Sequence, residues 1–262
     1  MTNSLPSDVS VTPIPAFTDN YIWAFYNQNV CVVVDPGDAQ PVLAFCERHE
    51  VSLVGVLITH HHPDHTGGLK ALIDAFPDIV IYGPRSSRIP LINQHVEEGN
   101  VASIAALNLT FNVIELPGHT LDHVAYEGHG GVLCGDTLFS AGCGRLFEGT
   151  PTQMLASLDK LKALPDSTLV WCTHEYTLAN LAFAKAVEPE NQELNEYSDW
   201  ANAQRAQGKP TLPSDIGTQK AINPFLRAGE TSVRRGVENN DNQNYTTELD
   251  TFAAVRRWKD NF

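Results

Sequence analysis

Apolar positions along this chain recur with two different periods. Residues 107–113 alternate without a break (Leu, Asn, Leu, Thr, Phe, Asn, Val), the period-two pattern of a strand with one buried face. Shorter apolar runs at 21–25, 31–34, 53–58, 79–82, 124–126, 131–134 and 168–172 read as further strands, several of them rich in valine and isoleucine. Between them the spacing lengthens to three and four. Val42, Leu43, Phe45 and Cys46 predict a helix over 40–49, and Leu69, Leu72, Ile73 and Phe76 predict one over 68–76. Met154, Leu155, Leu158 and Leu161 predict another over 153–164, with Pro151 near its start.

The pattern changes after His174. From Leu178 onward only helical spacing is found, over 178–188 and 190–207, with no convincing strand. A segment containing Pro and Gly, 208–224, leads to a polar region and a final amphipathic helix over 249–259. No repeat of solenoid period is present. The reading is a mixed helix-and-strand domain over 1–174 followed by a small helical domain over 175–262.

The candidate chemistry lies at the ends of the predicted strands. Thr59-His60-His61-His62-Pro63-Asp64-His65-Thr66-Gly67-Gly68 follows the run 53–58, and Pro63 disfavours helical geometry at His62. Imidazoles and a carboxylate crowded into six positions suit a shared divalent ion such as zinc or iron. His60 and His62 point the same way in extended chain, and Asp64 and His65 come after the bend. His119, Asp136 and His174 each follow another strand. These seven make two sets, His60, His62 and His119 for one ion and Asp64, His65 and His174 for a second, with Asp136 bridging. Two ions roughly 3.5–4 Å apart would acidify a shared solvent molecule into the nucleophile, so no protein nucleophile is needed. Asp35, in Asp35-Pro36-Gly37, reads equally as a turn residue and as an orienter of a ligand, and Asp19-Asn20-Tyr21 has the same ambiguity. His49, His95 and His129 read as solvated, and His123 as a packing residue or, second, as an orienter of a ligand.

Composition narrows the partners. The 262-residue chain is 42% hydrophobic, ordinary for a protein with a real core, and carries a formal net charge of −14. That balance argues against nucleic acid, which leaves a basic footprint. No apolar run approaches the roughly 20 residues that span a bilayer, and the start lacks a secretory pattern. Five cysteines show no metal or disulfide spacing, which fits a reducing, cytoplasmic compartment. Cys143 reads as a small residue filling a tight loop, because the histidines that could activate it are taken by metal.

T-H-H-H-x-D-H-x-G-G, followed by P-G-H-T, G-D-T-L-F, A-G-C-G-R and T-H-E-Y, resembles the metallo-β-lactamase superfamily, and within it the glyoxalase II enzymes (hydroxyacylglutathione hydrolases). The resemblance covers nearly the whole chain. It implies an α+β fold, an αββα sandwich followed by a small helical domain, and a binuclear site of zinc, or of iron or manganese. The implied reaction is hydrolysis of S-(2-hydroxyacyl)glutathione, chiefly S-D-lactoylglutathione, in the second step of methylglyoxal detoxification, by a monomer. Residues matching Arg145, Tyr176, Arg256 and Lys259 bind glutathione in that family. Arg256 and Lys259 lie one turn apart, so they offer the basic patch that an anionic substrate needs on an acidic protein. Phe147 stands where some members carry Tyr, which removes one hydrogen bond to glutathione. Lactonases and glutathione persulfide dioxygenases share the fold. The former lack the basic C-terminal helix, and the latter use one iron without the His65–His174 set.

Overall fold

Two antiparallel hairpins, three parallel strand connections and a meander account for the first half of the chain in a computed structural model that describes residues 4–262. The first sheet runs in the order β1 (Ser10–Ala16), β2 (Asn20–Tyr26), β3 (Val30–Val34), β4 (Ser52–Leu57), β5 (Val80–Pro84), β6 (Gln94–Val96). β1 to β3 are antiparallel, and β3 to β6 are parallel. The parallel pairs need crossovers. α1 (Ala39–His49) supplies the first, and α2 (Pro63–Thr66) with α3 (Leu69–Ala75) supplies the second. β1 forms one edge of this sheet and contains Pro13 and Pro15.

β7 (Val101–Ile104), β8 (Leu109–Glu115), β9 (Val124–Gly128) and β10 (Gly131–Gly135) form an antiparallel meander. These strands, with the first sheet and its helices, make one compact body that comprises residues up to Leu116 together with Asp122–Gly135. Its core follows strand parity. Ala24, Val33, Val56 and Ile81 bury against Val42, Phe45 and Cys46 of α1 and Leu69 and Leu72 of α3. Phe25, of opposite parity to Ala24, meets Phe111 of β8 edge-on, with centroids 5.7 Å apart. Burying such a ring fully contributes on the order of 2–3 kcal/mol.

The second body comprises Pro117–Leu121 and Asp136–Phe262. It holds β11 (Leu138–Phe139), β12 (Gly142–Cys143), α4 (Pro151–Lys162), β13 (Leu169–Cys172), α5 (Thr177–Val187), α6 (Gln192–Ala206), β14 (Ser214–Asp215), α7 (Ile216–Ile222), α8 (Thr231–Asp241) and α9 (Glu248–Asp260). Thr150 caps α4 in a reciprocal box with Gln153, and Thr247 caps α9. Leu181, Ala184, Leu194, Ala201 and Ile222 form one apolar cluster with Ala141.

Three expectations need correction. β1, β6 and β7 were not legible, being short or interrupted by Pro. The segment read as strandless contains β14, two residues that pair with β13. His129 is buried, and its Nε2 accepts the Thr110 N–H. Among the described residues, no helix is long and apolar enough to cross a membrane.

Candidate active site

In the first body the carboxyl ends of two parallel neighbours, β3 and β4, deliver the chemistry side by side, since Val34 pairs with Leu57. β3 runs into Asp35 and β4 into Thr59-His60. Asp35 is buried at 2% exposure, so its charge must be met by donors. One oxygen accepts the Thr59 N–H at 2.8 Å. The other accepts the Thr59 hydroxyl at 2.7 Å and faces Nδ1 of His65 at 3.0 Å. Both readings of Asp35 hold at once: it shapes the turn and it orients a ring.

Tautomers follow from these contacts. The Thr59 hydroxyl gives its one hydrogen to Asp35, so at 3.0 Å it accepts from Nδ1–H of His60. The His60 ring therefore carries its lone pair on Nε2, the arrangement that metal-ligating imidazoles show. The His65 Nδ1 lies 3.0 Å from the same Asp35 carboxylate, an ion-pair contact. His60 Nε2 lies 3.1 Å from His62 Nδ1, and His65 Nε2 lies 3.4 Å from Asp64 Oδ2. The rings of His60 and His65, read into different sets, also lie close, with centroids 4.0 Å apart. Asn20 reaches the Asp64 carboxylate at 3.3 Å, and His123 stacks on His60 with centroids 4.8 Å apart. Gly37 lets the Asp35 turn lie against the loop, where a Cβ would overlap the Asp64 carbonyl oxygen. Pro63, expected in a loop, opens the single turn α2, a position that suits its missing N–H.

His61 is the one histidine of the loop outside the proposed sets. Its Nδ1 sits 2.9 Å from Asp122, and Arg88 donates to its Nε2 at 2.7 Å. Nothing local in the sequence signals that pairing, because the partners come from other loops.

The second body carries the other three candidates. Asp136 turns one oxygen to Nε2 of His119 at 3.5 Å and the other to Nε2 of His174 at 3.3 Å. His119 donates Nδ1–H to the Arg145 carbonyl at 2.8 Å, which leaves the ring lone pair on Nε2. His174 lies flat on Tyr176, and Phe139 meets both rings edge-on. Gly144 approaches so closely that a Cβ would overlap the Asp136 carbonyl oxygen. Imidazoles with Nε2 lone pairs and carboxylates as neighbours form a donor set that fits divalent zinc, iron or manganese.

Of the expected substrate residues, Phe147 is exposed and edge-on to His119 at 5.2 Å, and Tyr176 is partly exposed. Arg145 donates Nε–H to Asp260 at 3.3 Å. Arg256 is buried at 6% exposure. It donates to the Cys143 carbonyl at 2.9 Å and to Asp260 at 2.8 and 3.0 Å, and it lies over Phe225. Lys259 donates to the Ala179 carbonyl at 3.2 Å, and burial, with the nearby Arg256 charge, lowers its pKa. Cys143 is buried, and that burial pushes its thiol up to about 11, unlike a nucleophile.

Comparison with known proteins adds the following. A family model described as "Metallo-beta-lactamase superfamily" matches residues 17–174, and "Hydroxyacylglutathione hydrolase C-terminus" matches 175–262. A hydroxyacylglutathione hydrolase of Photobacterium profundum is 51% identical over 255 residues, spanning 97% of this chain and 100% of that one. One from Vibrio cholerae is 50% identical over 256 residues with the same coverage. Among solved structures, ETHE1 from Myxococcus xanthus aligns with a TM-score of 0.63 at 22% identity, covering 96% of this chain and 97% of that one. The BLEG-1 B3 metallo-beta-lactamase aligns at 0.61 and 24% identity, covering 83% and 99%. At those identities the structures speak for the fold alone.

Proposed function

The chain belongs to the hydroxyacylglutathione hydrolase family of the metallo-beta-lactamase superfamily, and on that premise we infer that it hydrolyses S-(2-hydroxyacyl)glutathione thioesters to glutathione and a 2-hydroxy acid. The observation that carries this reading is likeness from end to end at about half identity, rather than over the metal loop alone. Its finer form is hydrolysis of S-D-lactoylglutathione to D-lactate, the second step of methylglyoxal detoxification, by a cytoplasmic monomer. Five free cysteines support the reducing compartment. The catalytic domain is proposed as 1–174 and the glutathione-binding domain as 175–262.

We further propose that His60, His62 and His119 hold one divalent ion and Asp64, His65 and His174 a second, with Asp136 shared. Each of the seven carries a suitable donor atom, and the pairings within each body support the grouping. When bound, two such ions, zinc foremost, supply Lewis acidity to a water and to the thioester carbonyl. Asp35 fixes the rings of His60 and His65, and the Arg145 carbonyl fixes that of His119. Arg145, Tyr176, Arg256 and Lys259 are proposed to face the glutathione portion, beside Phe147. The leaving thiol, with a pKa near 8.5, departs as thiolate without a dedicated acid.

The test is a steady-state assay on S-D-lactoylglutathione beside a simple lactone, with metal content measured on the same sample. The expected result is turnover of the thioester, little of the lactone, and about two ions per chain. Faster lactone turnover, or full activity with one ion, would overturn the finer reading.

A further inference from the structure

We propose that Asp260 is an internal competitor for the carboxylate end of the substrate, a latch that sets how tightly glutathione is held. This rests on the reading that Arg145 and Arg256 face glutathione. Both arginines already converge on one carboxylate, and it belongs to the protein. Oδ1 of Asp260 receives Arg256 at 2.8 and 3.0 Å and Arg145 at 3.3 Å. Two guanidinium groups aimed at one carboxylate oxygen form the cradle that a peptide C-terminus would use.

The two arginines are held unequally. Arg256 is buried, fastened to the Cys143 carbonyl and stacked on Phe225, so it stays where it is. The Arg145 side chain is 55% exposed, and its bonds to Asp260 are long, 3.3 Å to the carboxylate and 3.4 Å to the backbone carbonyl. A half-exposed pair of that geometry is weak. Asp260 is also the last residue of α9, where helices fray. An arriving carboxylate therefore draws Arg145 away at little cost, and when glutathione leaves, Asp260 takes it back.

Removing the Asp260 charge has two opposing effects. Arg145 loses a tether, a small entropic penalty. The cradle also loses a negative charge beside the incoming carboxylate, a repulsion that acts through a half-buried medium. The second effect is larger, so Asp260→Asn is expected to bind glutathione about fivefold more tightly, about 1 kcal/mol at 1.4 kcal/mol per decade.

The experiment is calorimetric titration of the full-length, metal-loaded protein with glutathione and with its glycine amide, which lacks the charge. Wild type, Asp260→Asn and Asp260→Ala are compared, with thermal midpoints to establish folding. The expected result is a fivefold lower Kd for glutathione in both variants and an unchanged Kd for the amide. Folded variants that bind glutathione no more tightly than wild type would overturn the latch alone. Tighter binding of both probes would also overturn it, since the gain would not depend on the carboxylate. Wild-type protein with no saturable binding of glutathione would overturn the substrate reading and the latch together.

Discussion

The imidazole of His174 lies on the ring of Tyr176 with planes 4° apart and centroids 4.6 Å apart. Tyr176 is therefore given two roles: its ring lies on a proposed ligand, and its hydroxyl is the part proposed to meet the substrate. Tyr176→Phe keeps the stack and is expected to raise KM for the thioester several-fold with kcat nearly unchanged. Tyr176→Ala removes the stack and should lower kcat as well. Equal kinetics for the two variants would remove the distinction.

His174→Ala is expected to leave the chain folded while sharply lowering thioester hydrolysis and metal content. The loss should fall on one ion of the pair, measured by metal analysis of the purified variant. Normal turnover with a single ion would refute a binuclear mechanism.

Asp35 orients His65 directly and His60 through Thr59. Asp35→Asn places an amide where two donors converge on a carboxylate, and an outer partner of this kind is worth about 10–100-fold in metal affinity. Faster metal loss to a chelator is expected, with hydrolysis falling in step. Retention equal to wild type would count against the orienting role.

Burial holds the Cys143 proton up to about 11, against an ordinary value of 9.0. Between those values the unfolded chain has released a proton that the folded chain keeps. Stability from this group is thus intact below about pH 9, falls as pH rises toward about 11, and then levels off. The loss is on the order of 2–3 kcal/mol at 1.36 kcal/mol per pH unit. Cys143→Ala should flatten that part of a curve of denaturant midpoint against pH, and an unaltered slope would assign it to other groups.

Gly144→Ala drives a methyl group into the Asp136 carbonyl and to 3.0 Å from Nδ1 of His119. Backbone cannot yield there as a flexible side chain would. A loss of about 2 kcal/mol or more is expected in denaturant unfolding, with weaker metal retention.

The metal loop was legible because its meaning is local. A β-branched run ends in closely spaced donors, and Pro63 dictates the bend whether it closes a loop or opens α2. The long helices were legible for the same reason: 178–188, 190–207 and 249–259 were expected, and Thr177–Val187, Gln192–Ala206 and Glu248–Asp260 are found. What escaped depends on partners remote in the chain. Asp122 beside His61 lies 61 residues away, and the Cys143 carbonyl that receives Arg256 lies 113 away. Helical periodicity put Arg256 and Lys259 on one face correctly, but it carried no information about the carbonyls and ring that bury Arg256.

The prolines of β1 have a consequence for the protein in bulk. Pro13 and Pro15 share one parity on a strand whose other side is occupied by β2, so the missing hydrogens fall on the outward side. A stray strand meeting that border finds two rungs absent from the ladder. This border of the sheet is thereby a poor template for a further strand.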